Sequence, residues 1–339
     1  MRVSLKNPPR WTDGKGELAE IVLSSRIRLA RNLRQFNFPW KAKENEIEDI
    51  LEFIKSHIDC SFITSLSEFS SLDRICLVER HIISRKFSRE TKGKGVGIWE
   101  GENIALMINE EDHLRLRSIY SGISIGLAYE KLNELDDEFS KLLPYAFSPK
   151  FGYFTACPTN TGTGLRASVL VHLPGLVHSG KIKKVLEKLN KIGFLVKGFY
   201  GDETIVEGNF FQISNQMTLG REEEEIVEGL HKTVLQVIEY ENIAREFLLK
   251  NARTQVEDKV WRAYSVLKNA RLLSNGEFVN LSSAVRFGIG LGILKEVKLQ
   301  NLNKLLVFTQ PAHLEKRTGK MINPGDIDAR RALFVRENL

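Results

Sequence analysis

Two adjacent carboxylates, Glu110 and Glu111, close an apolar run, Ala105 to Ile108, that reads as a buried strand. A pair of acids at the mouth of a strand can hold a cation or accept a proton. Five basic residues elsewhere, Arg26, Arg28, Arg115, Arg166 and Lys197, are of the type that receives phosphate. Arg26 and Arg28 alternate with Ser25 and Ile27, so a strand would project both on one face. Like charges side by side repel unless an anion sits between them. The apolar flank Ile21, Val22, Leu23 and Leu29 makes the bland reading, a solvated edge strand, less comfortable.

A glycine loop, Thr159 to Arg166, carries Gly162 and Gly164 but no following Gly-Lys-Ser/Thr, so it is not a P-loop. By composition alone such a loop is ordinarily only a turn. Arg166 directly after it and Cys157 before it add what a phosphate cradle needs, flexible backbone beside a guanidinium. The other candidates have ordinary readings too. Glu110 and Glu111 could be helix N-terminal charges, Asp112 a cap, Cys157 a small buried hydrophobe and His81 a core histidine.

These residues need elements to position them. Residues 1–20 read as an irregular arm, with Pro8, Pro9, Gly14 and Gly16. Residues 44–58 carry Ile47, Ile50, Leu51, Ile54 and Ile58 at helical spacing. The spacing predicts a strand at Ile75–Val78, a glycine-lysine turn at 92–97, and a helix over 114–135 in which Gly122 and Gly126 allow close packing. Strands are expected at 153–158, ended by Pro158, and at 167–173, with short ones near 194–200 and 210–214. Residues 179–192 read as a helix. Long helices follow at 221–251 and 254–274, the second stopped by Asn275-Gly276, and then shorter helices. The expected organisation is an arm (1–20), a mixed catalytic unit (21–250) and an all-helical C-terminal unit (251–339).

The chain has 339 residues, 49 basic and 43 acidic, for a net charge of +6. The signs are interspersed, which argues against a nucleic-acid-binding tail while favouring small anions. Cys60, Cys76 and Cys157 form no Cys-x-x-Cys pair, as fits a reducing compartment. No signal peptide or membrane span is expected, so the reading is cytoplasmic.

Several ordered motifs together resemble the phosphagen (guanidino) kinases. They are Ser24-Ser-Arg26-Ile-Arg28, Glu79-Arg-His81, Asn109-Glu-Glu-Asp-His-Leu-Arg115, Cys157-Pro-Thr-Asn-Thr-Gly-Thr-Gly-Leu-Arg166 and Gly208-Asn-Phe-Phe-Gln-Ile-Ser-Asn215. The resemblance implies an α+β fold, a mainly antiparallel sheet flanked by helices, with a helical C-terminal region. Within the family the chain is most similar to the bacterial branch that phosphorylates arginines in proteins for Clp-type proteolysis. Members acting on small guanidines carry a helical domain ahead of the Ser-x-Arg-x-Arg motif, which here begins at Ser24, so a more open site is expected.

The resemblance also implies roles. Glu110 and Glu111 would hold the target guanidinium, with Glu111 the better base and Cys157 orienting it without a covalent intermediate. The ATP site would comprise Ser24, Ser25, Arg26, Ile27 and Arg28, with Arg115, and His81 near the base. It would be completed by Arg166, Ala167, Ser168, Val169 and Leu170, and by Lys197, Gly198, Phe199, Tyr200, Gly201 and Asp202. Mg2+ would be held mainly through ATP. A phosphoarginine pocket is implied at Asp328, Arg331 and Ala332, although Ile327 stands where the pattern has arginine. Lys197 likewise replaces an arginine and loses its two-pronged geometry. Implied partners are proteins with exposed arginines, an activator protein, a Clp ATPase or protease, and a second copy in a homodimer; neither nucleic acid nor membrane is expected. The rivals are a kinase for free arginine or another small guanidine, and a non-catalytic phosphoarginine-binding adaptor.

Overall fold

The computed structural model describes residues 7–198, 207–319 and 322–339. Its sheet is built from segments whose side chains alternate. β1 (Val22–Arg31) buries Ile27 and Leu29 completely, while Arg26 and Arg28, alternating with them, turn to the other face. Next in the chain come α1 (Glu44–His57), β2 (Ile63–Ser65), α2 (Ser71–Glu79), β3 (Gly95–Trp99), β4 (Ile104–Ile108) and β5 (Leu114–Ser121). They are followed by α3 (Ile125–Leu142), a hairpin of β6 (Phe147–Ser148) and β7 (Gly152–Tyr153), β8 (Leu165–His172), α4 (Pro174–His178) and α5 (Ile182–Lys191). β9 (Phe194–Gly198), β10 (Phe210–Asn215) and α6 (Glu223–Asn251) come next. Beyond them the described residues form only helices: α7 (Arg253–Asn269), α8 (Asn275–Gly290), α9 (Leu299–Phe308), α10 (Pro311–Thr318) and α11 (Ile327–Asn338), with a short 3-10 turn before the last.

Eight strands form one sheet in the order β2-β3-β4-β5-β1-β8-β10-β9, with antiparallel pairing throughout. Cross-strand partners point to the same side. One face therefore carries Leu106, Leu116, Ile27, Leu29, Ala167, Val169 and Ile213, which pack with α1, α3 and α6 into the main core. The opposite face is partly covered at its two ends. At one end Val96, Ala105 and Met107 pack against α2. At the other, Leu23, Ile119 and Phe210 join the core beneath the C-terminal helices. The arginines lie on the part between them.

Four local expectations are corrected. Ile75–Val78 lies in α2, because Ser70 caps a helix there by accepting the Asp73 N–H at 3.1 Å. A run of four apolar residues cannot by itself separate strand from buried helix. Residues 114–121 are strand, with Leu114 and Leu116 inward and Arg115 and Arg117 outward; the helix starts only at Ile125. Gly122 is thus outside any helix, turning the chain at φ 67° where a Cβ would lie 2.4 Å from Glu17 O, and Gly126 has open space around it. The strand expected at 153–158 shrinks to Gly152–Tyr153. Asn275-Gly276 begins α8, capped by Ser274, after α7 has already ended at Asn269.

Candidate active site

Three arginines stand in a row across neighbouring strands. Arg28 on β1 pairs with Arg117 on β5 and with Arg166 on β8. Arg26, opposite Ser168, and Arg115, opposite Ala30, share that face by the same register. Burial, then the charges of Arg115 and Arg166, push Arg26 down to about 10. Burial and the same neighbours, with Arg26 foremost, hold Arg28 well below the usual arginine range. Arg117 falls to about 9 through burial and Arg26. Arg28 Nε and Arg117 Nε and Nη1 are buried without a hydrogen-bond partner among the described residues. Each such atom costs about 1–3 kcal/mol. A cluster of cations with orphaned donors offers both charge and hydrogen bonds to an anionic group.

The two acids face this cluster. Asn109 turns the chain after β4 at φ 62°, and its amide donates to Ile47 O (2.9 Å) and Gly93 O (2.7 Å), fixing the bend. Glu110 is committed: it accepts short contacts from Ser84 Oγ and Arg115 Nη1. Glu111 is half-exposed, with one oxygen 3.6 Å from Arg115 Nη1 and the other 3.6 Å from Lys86 Nζ. It is the acid with room to meet an incoming guanidinium.

Asp112 is no simple cap. Its Oδ1 accepts from Ala156 N (2.6 Å) and from Asn32 Nδ2 (2.7 Å), stitching the acid loop to the loop that carries Cys157. Burial raises its pKa despite these bonds. Cys157 is half-buried, its Sγ 3.1 Å from Thr159 Oγ1. It lies close enough to Arg166 to offset part of the lowering that burial and Arg115 impose there. The structure thus joins the acids, Cys157 and the Arg26–Arg166 cluster in one place.

His81 adopts φ 60°, and its ring lies 5.6 Å from Trp11. Burial, then Arg26 and Arg117, push its pKa down to about 3, so it presents a neutral ring beside the cations. Arg26 Nη2 donates to Gln212 Oε1 (3.1 Å), and Arg166 Nη2 to Ser214 Oγ (3.2 Å). Lys197 on β9 is opposite Gln212, so it shares the arginine face, and Gly198 ends that strand. Phe199, Tyr200, Gly201 and Asp202 lie outside the described residues.

Other expected residues are placed differently. Ser24 is on the arginine face, opposite Ser121 and Leu170, and Leu170 shares it. Ser25 is on the other face, donating to Gly122 O (2.8 Å) and accepting from Ser124 N (3.0 Å). Ile27, Ala167 and Val169 point into the main core, so they have only backbone to offer a nucleotide. Near the C-terminus, Arg331 is buried, paired with Asp328 and donating to Leu273 O (2.7 Å) and Thr309 O (3.0 Å). Ala332 is sealed in the second core. A phosphoarginine there would have to displace internal contacts of Arg331.

Sequence reasoning missed Arg117 and Trp11. The first had a signal, since Leu114-Arg-Leu-Arg117 repeats the alternation of Ser25-Arg-Ile-Arg28. Trp11 had none, because an irregular arm has no period to place it.

A family model for the ATP:guanido phosphotransferase C-terminal catalytic domain matches residues 43–244, and one for the protein-arginine kinase McsB C-terminal domain matches 253–339. A protein-arginine kinase of Bacillus cereus (strain G9842) is 41% identical over 97% of this chain and 95% of its own length. One from Halalkalibacterium halodurans is 43% identical over 97% and 94%. Among solved structures, the duplicated taurocyamine kinase of Schistosoma mansoni, with bound transition-state-analogue components, aligns at TM-score 0.61 and 25% identity. That alignment covers 70% of this chain and 35% of the duplicated one. Lombricine kinase, at TM-score 0.60 and 24% identity over 68% of each chain, shares the fold. The chain therefore belongs to the ATP:guanido phosphotransferase family, in its protein-arginine kinase branch.

Proposed function

We propose that this chain transfers the γ-phosphoryl group of ATP to arginine side chains of proteins, marking them for Clp-type proteolysis. The observation that carries the reading is the half-exposed Glu111, 3.6 Å from Arg115 in a bank of arginines with unsatisfied donors, on a loop that Asp112 ties to the Cys157 loop. A guanidinium keeps its proton to a pKa above ~12 and is a poor nucleophile until it loses it. Glu111 accepts that proton as the nitrogen attacks, while Glu110, held by Ser84 and Arg115, keeps the local field fixed. The γ-phosphorus bond to the bridging oxygen breaks, a P–N bond forms, and ADP carries away the electron pair. Arg26, Arg28, Arg115 and Arg166 stabilise the negative charge and hold the phosphates in line. Mg2+, for which the described residues of this face offer no dedicated carboxylate cage, would come with the nucleotide and neutralise further phosphate charge. Cys157 orients the guanidinium.

The protein acceptor is supported by the names of the relatives that match over nearly the whole chain. The setting proposed with it is the cytoplasm, with an activator protein, a Clp ATPase or protease, and a homodimeric state. Among the described residues no helix is long and apolar enough to cross a membrane.

The test offers ATP with either an unfolded protein or free arginine and detects phosphoarginine under conditions that spare the P–N bond. Phosphate on protein arginines is expected, with Glu111→Gln lowering transfer about 10²–10⁴-fold and leaving ADP affinity nearly intact. Turnover of free arginine alone would make the chain a small-guanidine kinase. Binding of phosphoarginine without any transfer would make it an adaptor.

A further inference from the structure

Five large apolar side chains stand exposed around the Cys157–Gly162 loop. Phe147, Phe151 and Phe154 expose 55%, 45% and 40% of their surface, and Met217 and Leu219 expose 57% and 54%. The backbones of the two segments meet at that loop. Gly152 abuts Gly162, whose own Cβ would lie 2.5 Å from Thr218 O. Thr218 Oγ1 donates to Thr159 O (2.9 Å) and Thr161 O (2.8 Å), strapping the 217–219 segment onto the loop. Clustered exposed apolar groups cost solubility and mark contact surfaces, unlike scattered ones.

Hydrogen bonds also tie the Phe154 backbone to the acid loop. Asn32 Nδ2 donates both to Phe154 O (3.0 Å) and to Asp112 Oδ1, and Asp112 adjoins Glu111. Beside Phe147 a cavity of about 260 Å³ opens between Leu143, Pro144, Tyr145 and Tyr153. That is room for one side chain and small for a free-standing ligand.

We propose that the rim formed by Phe147, Phe151, Phe154, Met217 and Leu219 binds apolar side chains flanking the target arginine in an extended, unfolded polypeptide. The proposal rests on the reading that the acceptor is a protein arginine. Phe154 and Cys157 are three residues apart, at most about 10 Å of extended chain. The apolar side chain should therefore lie within roughly three residues of the arginine. A folded protein buries such side chains, so the rim would favour unfolded acceptors.

Two peptides test it with the full chain and ATP: one arginine in a Gly/Ser sequence, and the same peptide with phenylalanine three residues to either side. The kcat/KM ratio should favour the second by about tenfold, mostly through KM. In Phe147→Ser/Phe151→Ser/Phe154→Ser the ratio should fall towards one, and Met217→Ser/Leu219→Ser should reduce it in part. The KM for ATP, read in every variant, separates loss of docking from loss of folding. A ratio near one in the unsubstituted chain, or a preference that survives both variants, overturns the rim. No transfer to either peptide or to any protein would instead overturn the proposed function, and the rim with it.

Discussion

Two sets of buried arginines in this molecule are held in opposite ways. Arg31 gives Nε and Nη2 to Asp136 (2.9 and 2.7 Å), Nη2 to Glu223 (3.1 Å) and Nη1 to Thr163 O (2.8 Å), and stacks 3.6 Å over the Tyr153 ring. Arg80 clasps Glu102 with two bonds of 2.8 and 2.7 Å and donates to Asn7 O at 2.7 Å. Arg28 and Arg117 are buried beside other cations and leave donors unpaired. Carboxylates raise Arg31 against the opposing effect of burial; Arg28 and Arg117 are pushed down by burial and then by their cationic neighbours. Buried charge with its partners in place is architecture. Buried charge without them is a cost borne for a ligand.

The comparison can be broken by substitution. Arg31→Met leaves Asp136 buried and Glu223 partly buried without their cation, and should cost about 3–5 kcal/mol by urea unfolding. A cost below ~1 kcal/mol would erase the distinction. Arg28→Gln should weaken ADP binding about 10–100-fold, and Arg117→Gln about 3–10-fold, while neither lowers the urea midpoint. Arg117 contributes less because Nη2 is already spent on Glu102 O at 3.1 Å. A drop in stability with unchanged ADP affinity would move both residues into the structural set.

The smallest effect is one of pH. The folded-state pKa of His81 is about 3, below its unfolded value near 6.5, so the unfolded chain binds the proton first. Stability from this group is complete above about pH 6.5 and is lost as pH falls towards 3. His172, lowered by burial and by Arg286, adds the same sign. His81→Asn should flatten the slope between pH 6.5 and 4. Bound ADP should flatten it too, since an anion among the arginines lets His81 take up its proton more readily.

Much of the site was legible because it repeats along short stretches. Arg26 and Arg28 at strand spacing, and Glu110 and Glu111 at a strand's end, state their geometry once the strand is assumed. Residues 114–121 misled because Ile119, Ile123 and Leu127, four apart, carry the period of the following helix back into the strand. Ile75–Val78 misled because the deciding residue, Ser70, lies outside the apolar run. Asp112 could not be read at all: its partners, Asn32 and Ala156, are 80 and 44 residues away.

By itself the sequence determined the chemical inventory and its local phase: which residues carry charge, and which side of a strand each one takes. That follows from covalent geometry, since side chains on an extended chain alternate regardless of what lies beyond. Only the tertiary structure decided which charges are answered. Whether a guanidinium meets Asp136 or another guanidinium depends on strand order and on loops folded back from distant positions. Paired and unpaired arginines are therefore alike in the sequence and become different only in the fold.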